Sequence, residues 1–196
     1  RIVEDTFMSD FSDKENAQFS TPPEVADVLV EVAAISKNET VLDPASGWGY
    51  TPRAANEYTE NVFGVEIHSG VNNAALLFND LLENTGEYIT GDFLEMVINQ
   101  NSKLPNDIEH IILDPSMGER ASKEVTEYID EPKRVRIHEA FVSLALDRLK
   151  EGGRLTAVVP TSVLTADRCA WLRERIVVDH TQGIIEISEP GPFSYH

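Results

Sequence analysis

Apolar and polar positions along the chain alternate between a helical period and a strand period. Val25, Val28, Leu29 and Val32 recur at helical spacing after Thr21-Pro22-Pro23, which supplies a cap and a first-turn proline. Further helices are expected over 51–58, 72–82, 137–149 and 166–177. In the second of these Leu77, Phe78, Leu81 and Leu82 form the expected core stripe, and in the third Ala140, Phe141, Leu144 and Ala145 do. Gly86 stops one helix and Gly152-Gly153 another. Between the helices, short apolar runs at 39–42, 61–65, 88–90, 109–113, 155–159 and 183–187 read as strands. Residues 1–18 are polar and weakly patterned. No internal repeat or low-complexity tract interrupts the chain.

Strands alternating with helices predict an α/β fold, a mostly parallel, doubly wound sheet with helices on both faces. Ligands of such sheets sit at the carboxyl ends of the strands. Here four of those ends carry an acid: Asp43, Glu66, Asp92 and Asp114.

Composition narrows the function classes. The 196 residues suit one domain, and 41% hydrophobic residues suffice for one core. With 34 acidic against 16 basic residues the formal net charge is -18, which disfavours a non-specific nucleic-acid binder, since phosphate affinity comes from Lys and Arg. The acids are spread along the chain, a pattern expected of a surface that stays hydrated in high salt. The single cysteine, Cys169, excludes a disulfide framework and a Cys-rich zinc site, and reads as a small buried residue. The five histidines show no metal spacing. No apolar run approaches the roughly 20 residues of a membrane span. The opening does not read as a secretory signal, so the expected location is cytoplasmic, with no membrane partner. A start at Arg1, without methionine, reads as part of a longer chain.

The first strand leads into Asp43-Pro44-Ala45-Ser46-Gly47-Trp48-Gly49, a glycine turn opening a helix. Glycine there lets the backbone approach a ligand. It is neither a P-loop, lacking Gly-Lys-Ser/Thr, nor a good dinucleotide loop, lacking the third glycine. Glu66, at the end of the second strand, is placed to accept from ribose hydroxyls.

Val41 to Gly49 resembles the cofactor loop of S-adenosylmethionine-dependent DNA adenine methyltransferases, most closely the modification subunits of type I restriction systems. Gln18-Phe19-Ser20-Thr21-Pro22 resembles their "Q-F-x-T-P", and Gly91-Asp92-Phe93-Leu94 their "G-D-x-L". Gly152-Gly153-Arg154 with Val158-Val159-Pro160 resembles their "G-G-R-x-x-x-V-x-P" strand. The likeness spans roughly residues 15 to 193, and its motifs stand in the family's order. It implies a Rossmann-like methyltransferase fold, with residues 1–20 leading into a catalytic domain over 21–196. The family fold continues into an antiparallel hairpin for which no residues remain, so that domain is expected to be incomplete at its C-terminus.

The resemblance also implies roles. Phe19, Thr21, Asp43, Ala45 and Gly47 would hold the methionine part of S-adenosylmethionine, and Glu66 the ribose. Ile67 would pack on the adenine, Asp92 contact its amino group and Phe93 line the ring. The implied reaction is methyl transfer to the exocyclic amino group of an adenine flipped from double-stranded DNA, within a restriction or defence complex with specificity or other subunits. In the family, "N-P-P-F" or "D-P-P-Y" ends the fourth strand, and its acid or amide and a proline carbonyl accept from the target amino group. This chain has Asp114-Pro115-Ser116-Met117 there. Asp114 and Pro115 keep the acceptor, Ser116 loosens the turn, and Met117 replaces the stacking ring. Base stacking contributes about 1–3 kcal/mol, so the change costs one or two decades in rate. The alternative reading is a cofactor-binding subunit of weak or no activity with an assembly role. A small-molecule or RNA methyltransferase is a third.

Other features have two readings each. Lys133, Arg134 and Arg136 either touch DNA phosphates or begin a solvated helix. Arg168, Arg173 and Arg175, on one expected helix, either face DNA or solvent. Trp48 shields the cofactor or packs under the next helix, and His68 is expected at the pocket rim.

Overall fold

The computed structural model describes residues 21–130 and 134–177. Its elements run α1 (Pro23–Ala33), β1 (Val41–Asp43), α2 (Tyr50–Ala55), β2 (Val62–Glu66), α3 (Ser69–Leu81) and β3 (Glu87–Thr90). They continue with α4 (Phe93–Ile98), β4 (Ile108–Leu113), α5 (Lys123–Tyr128), α6 (Ile137–Arg148) and β5 (Leu149–Ala157). Short α7 (Ser162–Thr165), a 3-10 turn over Asp167–Cys169 and α8 (Ala170–Val177) complete the described part. The expected strand at 183–187 lies outside the described residues.

The five strands form one parallel sheet in the order β3-β2-β1-β4-β5. The chain order reverses between β1 and β4, and a crevice opens at such a switch point beyond the carboxyl ends of the strands. Strand alternation splits the core into two layers. Val41, Val62 and Ile112 meet Val25, Leu29, Val30 and Ala33 of α1 on one face. Leu42, Val65, Ile111 and Leu113 meet Phe93, Leu94, Phe141 and Leu144 of α4 and α6 on the other. The doubly wound α/β expectation is borne out, and Ala140, Phe141, Leu144 and Ala145 are buried as their spacing predicts.

Three local expectations are corrected. On α3, Leu77, Leu81 and Leu82 are exposed, and only Phe78 of that stripe is buried. The helix turns Asn72, Ala75 and Asn79 inward instead. Asn79 Nδ2 donates to Gly86 O at 3.1 Å and to Asn84 O at 3.2 Å, while Asn72 Nδ2 donates to Thr90 Oγ1 at 2.9 Å. These bonds fasten the helix to β3 and to the turn before it through the amide N–H groups, while each buried Oδ1 lacks a hydrogen-bond partner among the described residues. On α1, Val25 and Leu29 are buried but Val28 and Val32 are exposed. Finally, Gly152-Gly153 does not separate helix from strand. α6 ends at Arg148, and β5 begins at Leu149 with the glycines inside it. Their irregular register against β4 forms a bulge, with Gly152 at φ +79° and a Cβ on Gly153 falling 3.0 Å from Glu109 O.

Helices α4 and α5, six residues each, are absent from the periodicity reading. Their caps are nonetheless legible: Asp92 accepts from Leu94 N–H at 2.8 Å, and Ser122 Oγ accepts from Val125 N–H at 3.2 Å.

Candidate functional site

Three carboxylates converge at the switch point. Asp43 ends β1 and is 4% exposed. Burial above all, with the charges of Asp114 and Glu66, raises its carboxyl from 3.8 to about 7 against the opposing Ala45 N–H at 3.0 Å and the Thr51 hydroxyl. Glu66 ends β2, also buried. Its Oε2 accepts from Gly47 N–H at 3.1 Å and its Oε1 from His68 N–H at 2.8 Å.

The glycine loop is shaped from both sides. Gly49, at φ +79°, has no room for a side chain: a Cβ would stand 2.7 Å from Tyr88 Oη. Gly47, at φ +49°, has nothing within 4 Å of that position. One glycine is there for packing, and the other leaves an open approach to backbone. Ser46 between them is buried, with its N–H on Val65 O at 2.9 Å and its Oγ lacking a partner among the described residues. Trp48 is half-buried and its carbonyl accepts from Arg53 at 2.7 Å, which ties the loop to α2.

Asp114 follows β4. Burial pushes its carboxyl above the ordinary range, and a hydrogen bond from the Thr21 hydroxyl partly offsets this. The opening threonine motif and the acid after the fourth strand, far apart in sequence, thus meet. Pro115 is buried, Ser116 is exposed and Met117 is 42% exposed, so the two departures from the family pattern face outward beside the acid.

The loop carrying them is anchored behind. Ala121 N–H donates to Val135 O at 3.0 Å and Ile137 N–H to Glu119 O at 2.9 Å, with Arg120 paired antiparallel to Arg136. The Arg136 guanidinium donates to Gly118 O. Arg136 N–H is in turn held by Glu139, at 3.0 Å. Glu139 is 1% exposed and also accepts from Arg168 and, at 3.2 Å, from the Cys169 thiol. Burial pushes Glu139 up, but the Arg136 N–H, the Cys169 thiol and Arg168 outweigh it and hold the carboxyl below the usual range. Cys169 is buried, as expected. Sequence reasoning missed this network; Arg136 with Glu139 three residues on is a capping-box spacing that signals part of it.

The remaining expected site residues are placed as follows. Ala45 is half-buried in the loop, and Ile67 is 56% exposed beside Glu66. His68 is exposed and precedes α3. Asp92 is half-buried, with one oxygen engaged in capping α4. Phe93 differs from its expected role: it is 1% exposed and stacked on Phe141 with ring centroids 5.7 Å apart, so its ring belongs to the core and leaves no face for adenine. Phe19 and Lys133 lie outside the described residues. Arg168, Arg173 and Arg175 do not form a DNA-facing row. Arg168 serves Glu139, Arg173 donates to Val163 O and Ala166 O, and Arg175 to Ser143 and Asp147. Among the described residues no group of His, Cys, Asp and Glu is arranged to hold a metal ion, and no helix is long and apolar enough to cross a membrane.

The donor set fits S-adenosylmethionine. Asp43 offers negative charge to a cationic methionine end, Glu66 is a carboxylate of the kind that accepts from ribose hydroxyls, and Gly47 leaves the loop backbone open.

Comparison with known proteins identifies the family. The family model for N-6 DNA methylases matches residues 3–189. The type II methyltransferase M.BsuBI of Bacillus subtilis is 25% identical over a 186-residue alignment covering 83% of this chain and 37% of that protein. Among solved structures, a candidate modification subunit of a type I restriction enzyme from Vibrio vulnificus YJ016 superposes with a TM-score of 0.71 at 22% identity, over 88% of this chain and 41% of that one. The M protein of the type I restriction enzyme EcoKI superposes at 0.60 with 20% identity, over 80% and 37%. The chain therefore spans about two fifths of the length of these relatives. A family match over nearly the whole chain bears out the resemblance in the motifs: the chain belongs to the N-6 DNA methylase family.

Proposed function

We propose that this chain is the cofactor-binding and catalytic part of a DNA methyltransferase acting on the exocyclic amino group of adenine in double-stranded DNA. It works with specificity or other subunits of a restriction or defence complex, in the cytoplasm. The observation that carries the reading is the meeting of Thr21 with Asp114 at the switch point, beside Asp43 and Glu66. S-adenosylmethionine, when bound, supplies an electrophilic methyl group. Glu66 accepts from the ribose hydroxyls, and Ile67 covers the purine. Asp43 stands as the anionic partner of the cationic end, with Ala45, Gly47 and Thr21 shaping its seat and Asp92 offering its second oxygen to the adenine amino group. Asp114 accepts one N–H of the target amino group and the Pro115 carbonyl the other, which turns the nitrogen lone pair toward the methyl group. Ser116 and Met117 lie against the flipped base, Met117 in place of a ring.

The test is N6-methyladenine formation in unmethylated duplex DNA by the full-length protein with its subunits, across pH. An ionised Asp114 accepts strongly through either oxygen, whereas a protonated one accepts only weakly through its carbonyl oxygen. With its carboxyl held up by burial, the rate falls toward acid pH above the ordinary aspartate range. Asp114→Asn keeps an acceptor and loses that acid limb, and Asp114→Ala abolishes transfer. Cofactor binding with no methylation under any condition overturns the catalytic reading in favour of the assembly subunit.

A further inference from the structure

Among the described residues, nearly every arginine is committed to the protein's own oxygens. Arg53 donates to Trp48 O, Arg136 to Gly118 O, Arg148 to Pro105 O and Arg154 to Ala33 O, and the α8 region uses its arginines likewise. Two are not: Arg120 and Arg134 are exposed and have no hydrogen-bond or ion-pair partner among the described residues. Both line one open groove of about 340 Å³, where among the described residues Lys123 is the third cation and Glu127 the one carboxylate. In a chain of net charge -18, leaving two guanidinium groups unpaired in one groove runs against the general balance. Lys123 is tied to Glu127 at 3.2 Å, but both are highly exposed, and such a pair yields easily to a stronger anion.

The place of the groove matters. Arg120 follows Asp114 by six residues, so its Cα lies within about 20 Å of the acid's. That is at most about six base-pair steps of duplex. The antiparallel pairing of 119–121 with 135–137 makes the groove wall continuous with the loop that carries Ser116 and Met117, and Arg136 braces that loop from the same ribbon. Pairing also puts Arg120 and Arg134 on one face of the ribbon, since alternate residues share a face.

We infer that Arg120, Arg134 and Lys123 form a phosphate clamp for the DNA strand flanking the flipped adenine, a role that rests on the proposed activity. Guanidinium groups suit the task because their planar fork meets two phosphate oxygens at once. The clamp positions the duplex and reads no bases.

The experiment uses the full-length protein with its subunits and a short fluorescein-labelled duplex, titrated by anisotropy over a range of salt. Variants are Arg120→Gln, Arg134→Gln and the double variant, with exposed Lys37→Gln, before β1 at the opposite end of the strands, as control. Removing one cation from a phosphate lowers the slope of log affinity against log salt by about 0.9, so the double variant loses up to about 2. The loss is equal for cognate and unrelated duplexes, while cofactor affinity and Tm stay at wild-type values. A DNA-methylating protein whose double variant keeps the wild-type slope overturns the clamp and leaves the activity standing. So does a variant that weakens only cognate DNA, which marks base readout, or one whose loss is reproduced by Lys37→Gln. A wild-type complex that neither binds nor methylates DNA overturns both readings.

Discussion

Replacing Asp43 by asparagine separates the cost of the buried carboxylate from its use. Folding takes this carboxyl from water to a site 4% exposed, where burial and the nearby charges of Asp114 and Glu66 raise it from 3.8 to about 7. Below about pH 4 both folded and unfolded chains hold the proton. Between about 4 and 7 the folded chain keeps a proton that the unfolded chain has released, so stability falls as pH rises, and above about 7 the full cost is present. At about 1.4 kcal/mol for each factor of ten, a carboxyl at about 7 instead of 3.8 carries an upper bound of about 4 kcal/mol. Asparagine has nearly the same shape, and its Oδ1 can keep the Ala45 N–H. The variant without cofactor should therefore exceed wild type by only about 1–2 kcal/mol near pH 5 and by about 2–4 kcal/mol near pH 8, the latter roughly 5–15 °C in Tm for a chain of this size. Scanning calorimetry over that range measures the difference. Titration of S-adenosylmethionine at the higher pH should show the reverse, a loss of about tenfold to a hundredfold from removing a charged partner. A Tm difference that does not change with pH refutes the buried-charge argument. Unchanged cofactor affinity refutes the role of Asp43 in binding.

Three further predictions follow from the same site. Ser116→Pro with Met117→Phe should raise the methylation rate by about 10- to 100-fold, the stacking contribution of a ring, in a single-turnover assay; no gain shows that Met117 already serves the base. Gly49→Ala should lower Tm by several degrees, because its Cβ would strike Tyr88 and its φ is +79°, whereas Gly47→Ala should cost only about 1 kcal/mol of stability yet weaken cofactor binding. Glu139→Ala leaves Arg168, Cys169 and the Arg136 N–H without their buried acceptor and should cost about 3 kcal/mol by denaturant unfolding; because that carboxyl is held low, its contribution is present above about pH 4.5 and fades as pH falls.

The candidate site was legible because its parts are local. A strand ending in an acid, a glycine turn and a capped helix are each written within a few residues, and the order of such units placed Asp43, Glu66, Asp92 and Asp114 at one end of the sheet. Phe93 was not legible, because an aromatic after a capping aspartate reads alike whether it faces a ligand or Phe141. The arginines were not legible either, since charge and spacing leave open whether a guanidinium meets solvent, DNA or a buried carbonyl.

The sequence by itself determined the alternation of strands and helices, the glycine loop, the acid at four strand ends and the motif order that marks the family. These depend on side-chain period and turn chemistry, which act between near neighbours. Only the tertiary structure decided which face of α3 is buried, where Asn72 and Asn79 turn inward and donate to Thr90 and Gly86 while the leucines face out. Only it brought Thr21 to Asp114 and committed Arg136 and Arg168 to the support of the loop after β4, leaving Arg120 and Arg134 outward. Those outcomes turn on which groups from distant segments must satisfy one another once water is excluded, and no local pattern carries that information.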